Sequence, residues 1–237
     1  MIVFNLRSSV VAIVLAGICA GAAQATDALE AFPFRPGETI QYDIRKLNIN
    51  WGEAAMTFHG VASLDGRPEL LITVTSKGLK FSDVERIYFD PQNFLPVRVE
   101  RDLDIFGKKE KITEYYDAAR GTVRIVKTAR GKTTGQIITR PGPLDNMYCF
   151  IFRYRMSGKF QAGEKITIHL PTRDVQFQMI GDQPLRVNGQ DINTRYMQSD
   201  PAQYRVWFAA DSRRVPLRID GAVGIGKTAM IIKHYTR

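Results

Sequence analysis

The stretch MTFHGVASLDGRPELLITV, residues 56–74, decides how this chain folds. Met56, Phe58, Ala62 and Leu64 hold one phase of a two-residue period through Gly60, and Leu70, Ile72 and Val74 resume the alternation after Asp65-Gly66. Successive side chains of a strand point to opposite faces, so this pattern puts one face in a core and the other in water. Asp-Gly tolerates the left-handed dihedrals that a two-residue hairpin demands. The stretch reads as two antiparallel strands.

The same rhythm runs outward in both directions. Ile40, Tyr42 and Ile44 precede it. Ile87 with Phe89, Val97 with Val99, and Val123 with Ile125 come after, then Ile166, Ile168 and Leu170, then Val175, Phe177 and Met179, then Tyr204, Val206 and Phe208. Turn pairs separate many of them: Asp90-Pro91, Arg120-Gly121, Arg130-Gly131, Asn188-Gly189 and Asp211-Ser212. Short, evenly spaced strands without intervening helices exclude a parallel βαβ plan. They predict a mainly β fold, a curved antiparallel sheet or incomplete barrel. One segment departs from the rhythm. Leu144, Met147, Tyr148, Ile151 and Phe152 fall at i, i+3, i+4, i+7 and i+8, which predicts an amphipathic helix over about 143–157. Pro143 suits its first turn and Gly158 its end. Such a helix closes a barrel end, packs into the concave face of a sheet, or simply fills the core.

Composition bounds the rest. The 237 residues carry 33 Lys plus Arg against 24 Asp plus Glu and are 44% hydrophobic, which is ordinary globular usage and excludes disorder. Two cysteines exclude a disulfide-stapled scaffold and a cysteine-built zinc site. Arg7, the apolar run Val10–Ile18 and the small-residue ending Ala23-Gln24-Ala25 predict a secretory signal over residues 1–25. The run is shorter than the ~20 residues that span a bilayer. Cleavage leaves a single β-rich periplasmic domain, residues 26–237, in which Cys149 has no partner for a disulfide. Its setting in the apolar run Met147–Phe152 predicts a buried small hydrophobe.

The chemical motifs mostly read as structure. Residues 221–228 spell GxxxxGKT, yet a phosphate loop needs a following helix, and only nine strand-like residues come after Thr228. A glycine-rich turn is expected there, with no nucleotide bound. His59, His169 and His234 do not share metal-ligand spacing, so no metal is expected. Asp102 and Asp104 lie on one strand face, where paired acids could hydrolyse a glycoside, but Arg101 and Lys108 beside them predict a solvated, salt-bridged face. No Gly-x-Ser-x-Gly elbow is present. The chain is therefore expected to be non-enzymatic, with no catalytic residue and no cofactor.

Charge is more informative. Nine basic residues lie between Gly107 and Arg140, opposed only by Glu110, Glu114 and Asp117. Lys108, Lys109, Lys111, Arg124, Lys127, Arg130 and Lys132 are the candidate ligands for an anionic head. Solubility and protection of an edge strand would also explain them. The apolar helix face, Leu144, Tyr148, Ile151 and Phe152, is the candidate surface for acyl chains. A shorter signal is an internal echo: Leu95-Pro96-Val97-Arg98-Val99 returns as Val215-Pro216-Leu217-Arg218-Ile219, each a few residues after a turn.

Several stretches, taken together, resemble one family. They are Phe34-x-x-Gly37-Glu38-x-Ile40-x-Tyr42, Tyr88-Phe89-Asp90-Pro91-x-x-x-Leu95-Pro96, Pro143-Leu144-Asp145 with Phe152-x-Tyr154-Arg155, and Val206-Trp207 through Asp211 to Val215-Pro216-x-Arg218-Ile219 and Gly224-Ile225-Gly226. They resemble exported Gram-negative proteins known only as a domain of unknown function. More distantly the chain is similar to the lipoprotein-carrier folds (LolA and LolB). The resemblance implies a curved antiparallel sheet or incomplete barrel and brings no catalytic residues. The resulting expectation is a periplasmic protein that binds a lipid or other anionic envelope amphiphile. An envelope assembly factor binding a protein or acidic polysaccharide is the alternative, a carbohydrate-active enzyme a third reading, and nucleic acid is not expected as a partner.

Overall fold

A computed structural model describes residues 32–47, 49–221 and 228–237. The expected signal, residues 1–25, and positions 222–227 of the glycine-rich motif lie outside the described residues. From Pro33 to Arg237 the described residues form sixteen strands and one helix. The strands are β1 (Thr39–Lys46), β2 (Ile49–Leu64), β3 (Arg67–Gly78), β4 (Phe81–Phe89), β5 (Pro96–Ile105), β6 (Lys108–Asp117), β7 (Thr122–Ala129) and β8 (Lys132–Thr139). After helix α1 (Met147–Ser157) come β9 (Lys165–Leu170), β10 (Arg173–Asp182), β11 (Leu185–Val187), β12 (Gln190–Ile192), β13 (Thr194–Asp200), β14 (Arg205–Ala209), β15 (Pro216–Asp220) and β16 (Ala229–Thr236).

Fourteen strands form one sheet in the order β8-β7-β6-β5-β4-β3-β2-β1-β16-β15-β14-β13-β10-β9, every pair antiparallel. The strands do not close into a barrel, because β8 and β9 are both edges. At one end a loop joins these edges instead. Arg140, just past β8, reaches Asp174 on β10 at 2.7 Å, and the Asp145 N–H donates to the His169 carbonyl of edge strand β9 at 2.8 Å. The expected turn Asp65-Gly66 joins β2 to β3 with both residues at positive φ. Beyond Thr228 the chain enters strand β16 rather than a helix, and the Gly221 N–H donates to the Thr228 carbonyl. A phosphate loop is thereby without the helix N-terminus it requires.

The helix differs from its expected form. It begins four residues later than Pro143, with Asn146 as N-cap accepting the Tyr148 N–H at 2.8 Å, while Gly158 ends it as expected. Leu144, Tyr148, Ile151 and Phe152 are all buried, but so are Cys149, Phe150, Tyr154 and Arg155. The helix is wrapped by the concave face on most sides, so a single apolar stripe does not describe it. Phe152 packs edge-on against Phe34 with ring centroids 4.9 Å apart and lies 5.9 Å from Phe58; Phe150 stacks on Phe177 at 4.7 Å. Each such pair contributes about 0.5–1.5 kcal/mol beyond its buried area. The acyl-binding role expected of this helix surface meets a filled interior at these positions.

Candidate functional site

The family-like stretches meet at the C-terminal end of α1. The fully buried Arg155 donates to both carboxylate oxygens of Glu38, at 2.7 and 3.2 Å, and to the Arg213 carbonyl at 3.1 Å. Tyr235 adds a hydrogen bond to Glu38 at 3.0 Å, and the Arg155 guanidinium lies 4.9 Å from the Phe34 ring. A buried pair with its lone pairs used can persist in low dielectric; either partner alone would be an uncompensated charge. Arg214 donates to the carbonyls of Arg155 and Gly158, closing the last helical turn. This constellation is a tether for the helix, with every polar contact directed at the fold itself.

The other end of α1 faces a different cluster. Asp83, Glu85, Arg101, Glu114 and Tyr116 share the inward phase of β4, β5 and β6 with the buried Ile87, Phe89 and Val99, and Tyr148 of the helix faces them. Arg101 donates through Nε to Asp83 at 2.8 Å and lies 3.4 Å from Glu85; Tyr116 donates to Glu114 at 2.5 Å. One guanidinium cannot compensate three carboxylates. Burial pushes the Glu85 carboxyl up to about 7 despite the pull of Arg101, and burial also raises Glu114, Tyr116 and Tyr148. The same inner face carries Phe81, Leu103 and Ile105, with Ile112 opposite Arg101 and Ile125 opposite Glu114, all only half-buried. Glu110 and Lys127 form an ion pair across it at 2.7 Å. This half-buried apolar strip on the inner face, with charged residues in the same rows, is the trough of β4–β7.

Register sorts the expected basic ligands onto two faces. Lys108, Lys127 and Lys132 share the inward phase, paired with Ile105, Ile112 and Ala129 respectively. Lys109, Lys111 and Arg124 point to the outer face, and Arg130 occupies a hairpin tip. The single stripe read from the sequence is thus divided by strand alternation. Lys111 is bound to Asp102 at 3.2 Å, and Arg124 stacks on Tyr115 at 4.0 Å, with Arg98 on the same ring at 5.0 Å. Asp102 also meets Arg86 at 3.4 Å, and Asp104 accepts the Gly107 N–H at 2.8 Å. Their face is salt-bridged as expected, but through Arg86 and Lys111; Arg101 points inward instead.

The remaining sequence candidates are structural. Cys149 is buried beside Tyr116, and burial raises its thiol well above the ordinary value. His59 and His234 are exposed on strands, and His169 bonds Asp174 at 2.9 Å. Among the described residues no group of three potential ligands could hold a metal ion. Missing from the sequence reading were the inward acids of β4 and β6. Their signal was available: Asp83 and Glu85 continue the parity of Ile87 and Phe89, placing acids on an apolar face.

A family described as "Protein of unknown function (DUF3108)" matches residues 39–233. No curated protein matches the chain. Among solved structures, it is similar to the beta-barrel-like protein of domain of unknown function DUF1849 from Brucella abortus. That likeness has 7% identity and a TM-score of 0.46, covering 84% of this chain and 96% of the other.

Proposed function

We propose, from the premise that the chain belongs to the DUF3108 family, that it is a non-enzymatic periplasmic protein holding an anionic amphiphile of the cell envelope in the inner trough of β4–β7. The observation that carries this reading is the half-buried apolar row Phe81, Leu103, Ile105, Ile112 and Ile125, sharing a face with Lys108, Lys127 and Lys132. An apolar lining with a few charged groups suits a ligand with a chain and a head. The helix occupies the rest of the concave face, so the acyl portion is assigned to the trough. Export rests on the signal pattern of residues 1–25.

Mass spectrometry of an organic extract of the protein purified from its native host tests the reading, together with titration of a fluorescent fatty-acyl probe. Bound lipid is expected, and Ile112→Asp should weaken probe binding roughly tenfold or more by placing a charge in the trough. Absence of lipid together with absence of probe binding would overturn it. The assembly-factor reading draws on the outward stack of Arg98, Tyr115 and Arg124. It requires that reversing Lys109 and Lys111 remove a co-purifying protein or polysaccharide while probe binding stays unchanged.

A further inference from the structure

Antiparallel order puts the tips of the β1–β2, β3–β4, β5–β6 and β7–β8 hairpins in sequence along one rim of the sheet. Neighbouring tips touch: the Phe106 N–H donates to the Lys80 carbonyl at 2.8 Å, and a Cβ on Gly78 would sit 2.4 Å from the Trp51 carbonyl oxygen. This rim holds five of the eight exposed large hydrophobic residues among the described residues: Leu47 (89% exposed), Leu79 (89%), Phe106 (69%), Ile49 (63%) and Trp51 (49%). Interleaved with them are exposed Lys80, Lys108, Lys109, Arg130 and Lys132, none of which forms an ion pair among the described residues. Lys46 lies 4.8 Å from the Trp51 ring. The opposite rim turns on Asp65, Asp90, Asp117 and Asp211, and these carry no such hydrophobes.

Backbone conformation sharpens the contrast. Phe106 and Gly107 both have positive φ, 53° and 79°, in a two-residue turn of the kind that favours asparagine or aspartate first. Elsewhere in the chain Asp65-Gly66 and Asn188-Gly189 fill that turn in the favoured way. Phe106 therefore takes a disfavoured conformation and is exposed, so burial within this chain does not offset it. Leu47 (φ 52°) and Lys80 (φ 56°) do the same at the adjacent tips.

We infer that this rim docks on an anionic lipid bilayer, inserting Leu47, Ile49, Trp51, Leu79 and Phe106 into the headgroup zone while the tip lysines and Arg130 meet lipid phosphates. The charges choose among occupants. A second copy of this rim would bring like charges together, whereas an anionic surface complements them. The apolar groups are spread along separate tips instead of forming a pocket, which suits shallow insertion into a plane. A tryptophan beside lysine is at home at that depth. The inference goes beyond the trough reading and stands separately from it, although a docked rim would present the trough mouth to the membrane.

The protein expressed from the full chain, mixed with phosphatidylglycerol–phosphatidylethanolamine vesicles, tests it. Trp207 is buried, so a blue shift of tryptophan emission reports Trp51. The expected result is co-sedimentation with a blue shift, both weakened by high salt and absent with phosphatidylcholine vesicles. Phe106→Asn combined with Leu79→Ser should lower vesicle binding roughly tenfold or more. Phe106→Asn alone should raise the melting temperature, which a purely structural Phe106 would not allow. Equal binding of parent and double variant would overturn the inference, as would a parent that ignores anionic vesicles or one that forms a rim-dependent dimer in their place. Acyl-probe affinity, measured in parallel, is expected to be unchanged in the rim variants. A parent protein that does not bind anionic vesicles, with Ile112→Asp weakening the probe as expected, would reject the rim alone, and vesicle binding by the rim with no acyl-probe binding would reject the trough alone.

Discussion

Glu85 concentrates the residue-scale physics. Its carboxyl lies inward with Asp83, Arg101, Glu114 and Tyr148 around it, and burial moves its titration up to about 7. The folded state thus holds a proton that the unfolded chain releases near 4.5. Because the folded form binds more protons between those values, stability falls as pH rises from about 4.5 to about 7 and then levels. Glu85→Gln keeps the shape and removes the titration. Chemical denaturation across this pH range should show the decline flattened, with the variant more stable at pH 8 by on the order of 2–3 kcal/mol. An unchanged pH slope would mean that water or Arg101 solvates the ionised carboxylate.

Among the elements, the helix and its caps determine how the concave face is filled. Asn146 accepts the Tyr148 N–H, and the neighbouring buried Asp145 binds Arg153 and its own Asn146 N–H. Asn146→Ala should cost about 1 kcal/mol, read as a lower denaturation midpoint with unchanged slope. The internal echo also acquires a structural meaning at this scale. Asp90 Oδ1 accepts the N–H groups of Gln92 and Asn93, and Asp211 Oδ1 those of Arg213 and Arg214. Each turn then passes through a residue at positive φ, Phe94 or Arg214, and delivers a proline opposite an inward phenylalanine: Pro96 to Phe89 and Pro216 to Phe208. The five-residue match is one turn design used twice. Its two positive-φ side chains serve the same end of the helix differently, Phe94 packing on Phe34 and Arg214 capping carbonyls.

For the whole molecule, the central fact is a fourteen-strand sheet with two unpaired edges joined at one end by a loop. Central strands β1, β2 and β16 carry the buried Tyr42, Met56, Phe58 and Met230, whereas β8 is exposed along nearly all its length. Local opening should track that gradient. Hydrogen exchange of β8 amides is expected to be faster than that of β1 and β2 by at least roughly a hundredfold, and comparable protection would indicate that another surface covers the edge. Lys132 and the absence of burial on β8 suit an edge that resists pairing with other sheets. The molecule is polarised along its strands as well, with aspartate turns on one rim and hydrophobic, lysine-flanked tips on the other.

Strand identity, the turns at Asp65-Gly66 and Arg130-Gly131, and the end of the helix at Gly158 were legible in the sequence, because alternation and turn chemistry are local properties. So was the burial of Cys149, whose neighbours are apolar. Three things depended on tertiary structure. The helix is buried on most sides because a sheet curls around it, and no stripe in eleven residues encodes that enclosure. The basic stretch divides between two faces because each residue step along a strand reverses direction, so a cluster in sequence is scattered in space. The apolar rim exists because hairpins far apart in the chain, near residues 47, 79 and 106, end at the same level of one sheet, and long-range pairing alone sets that level.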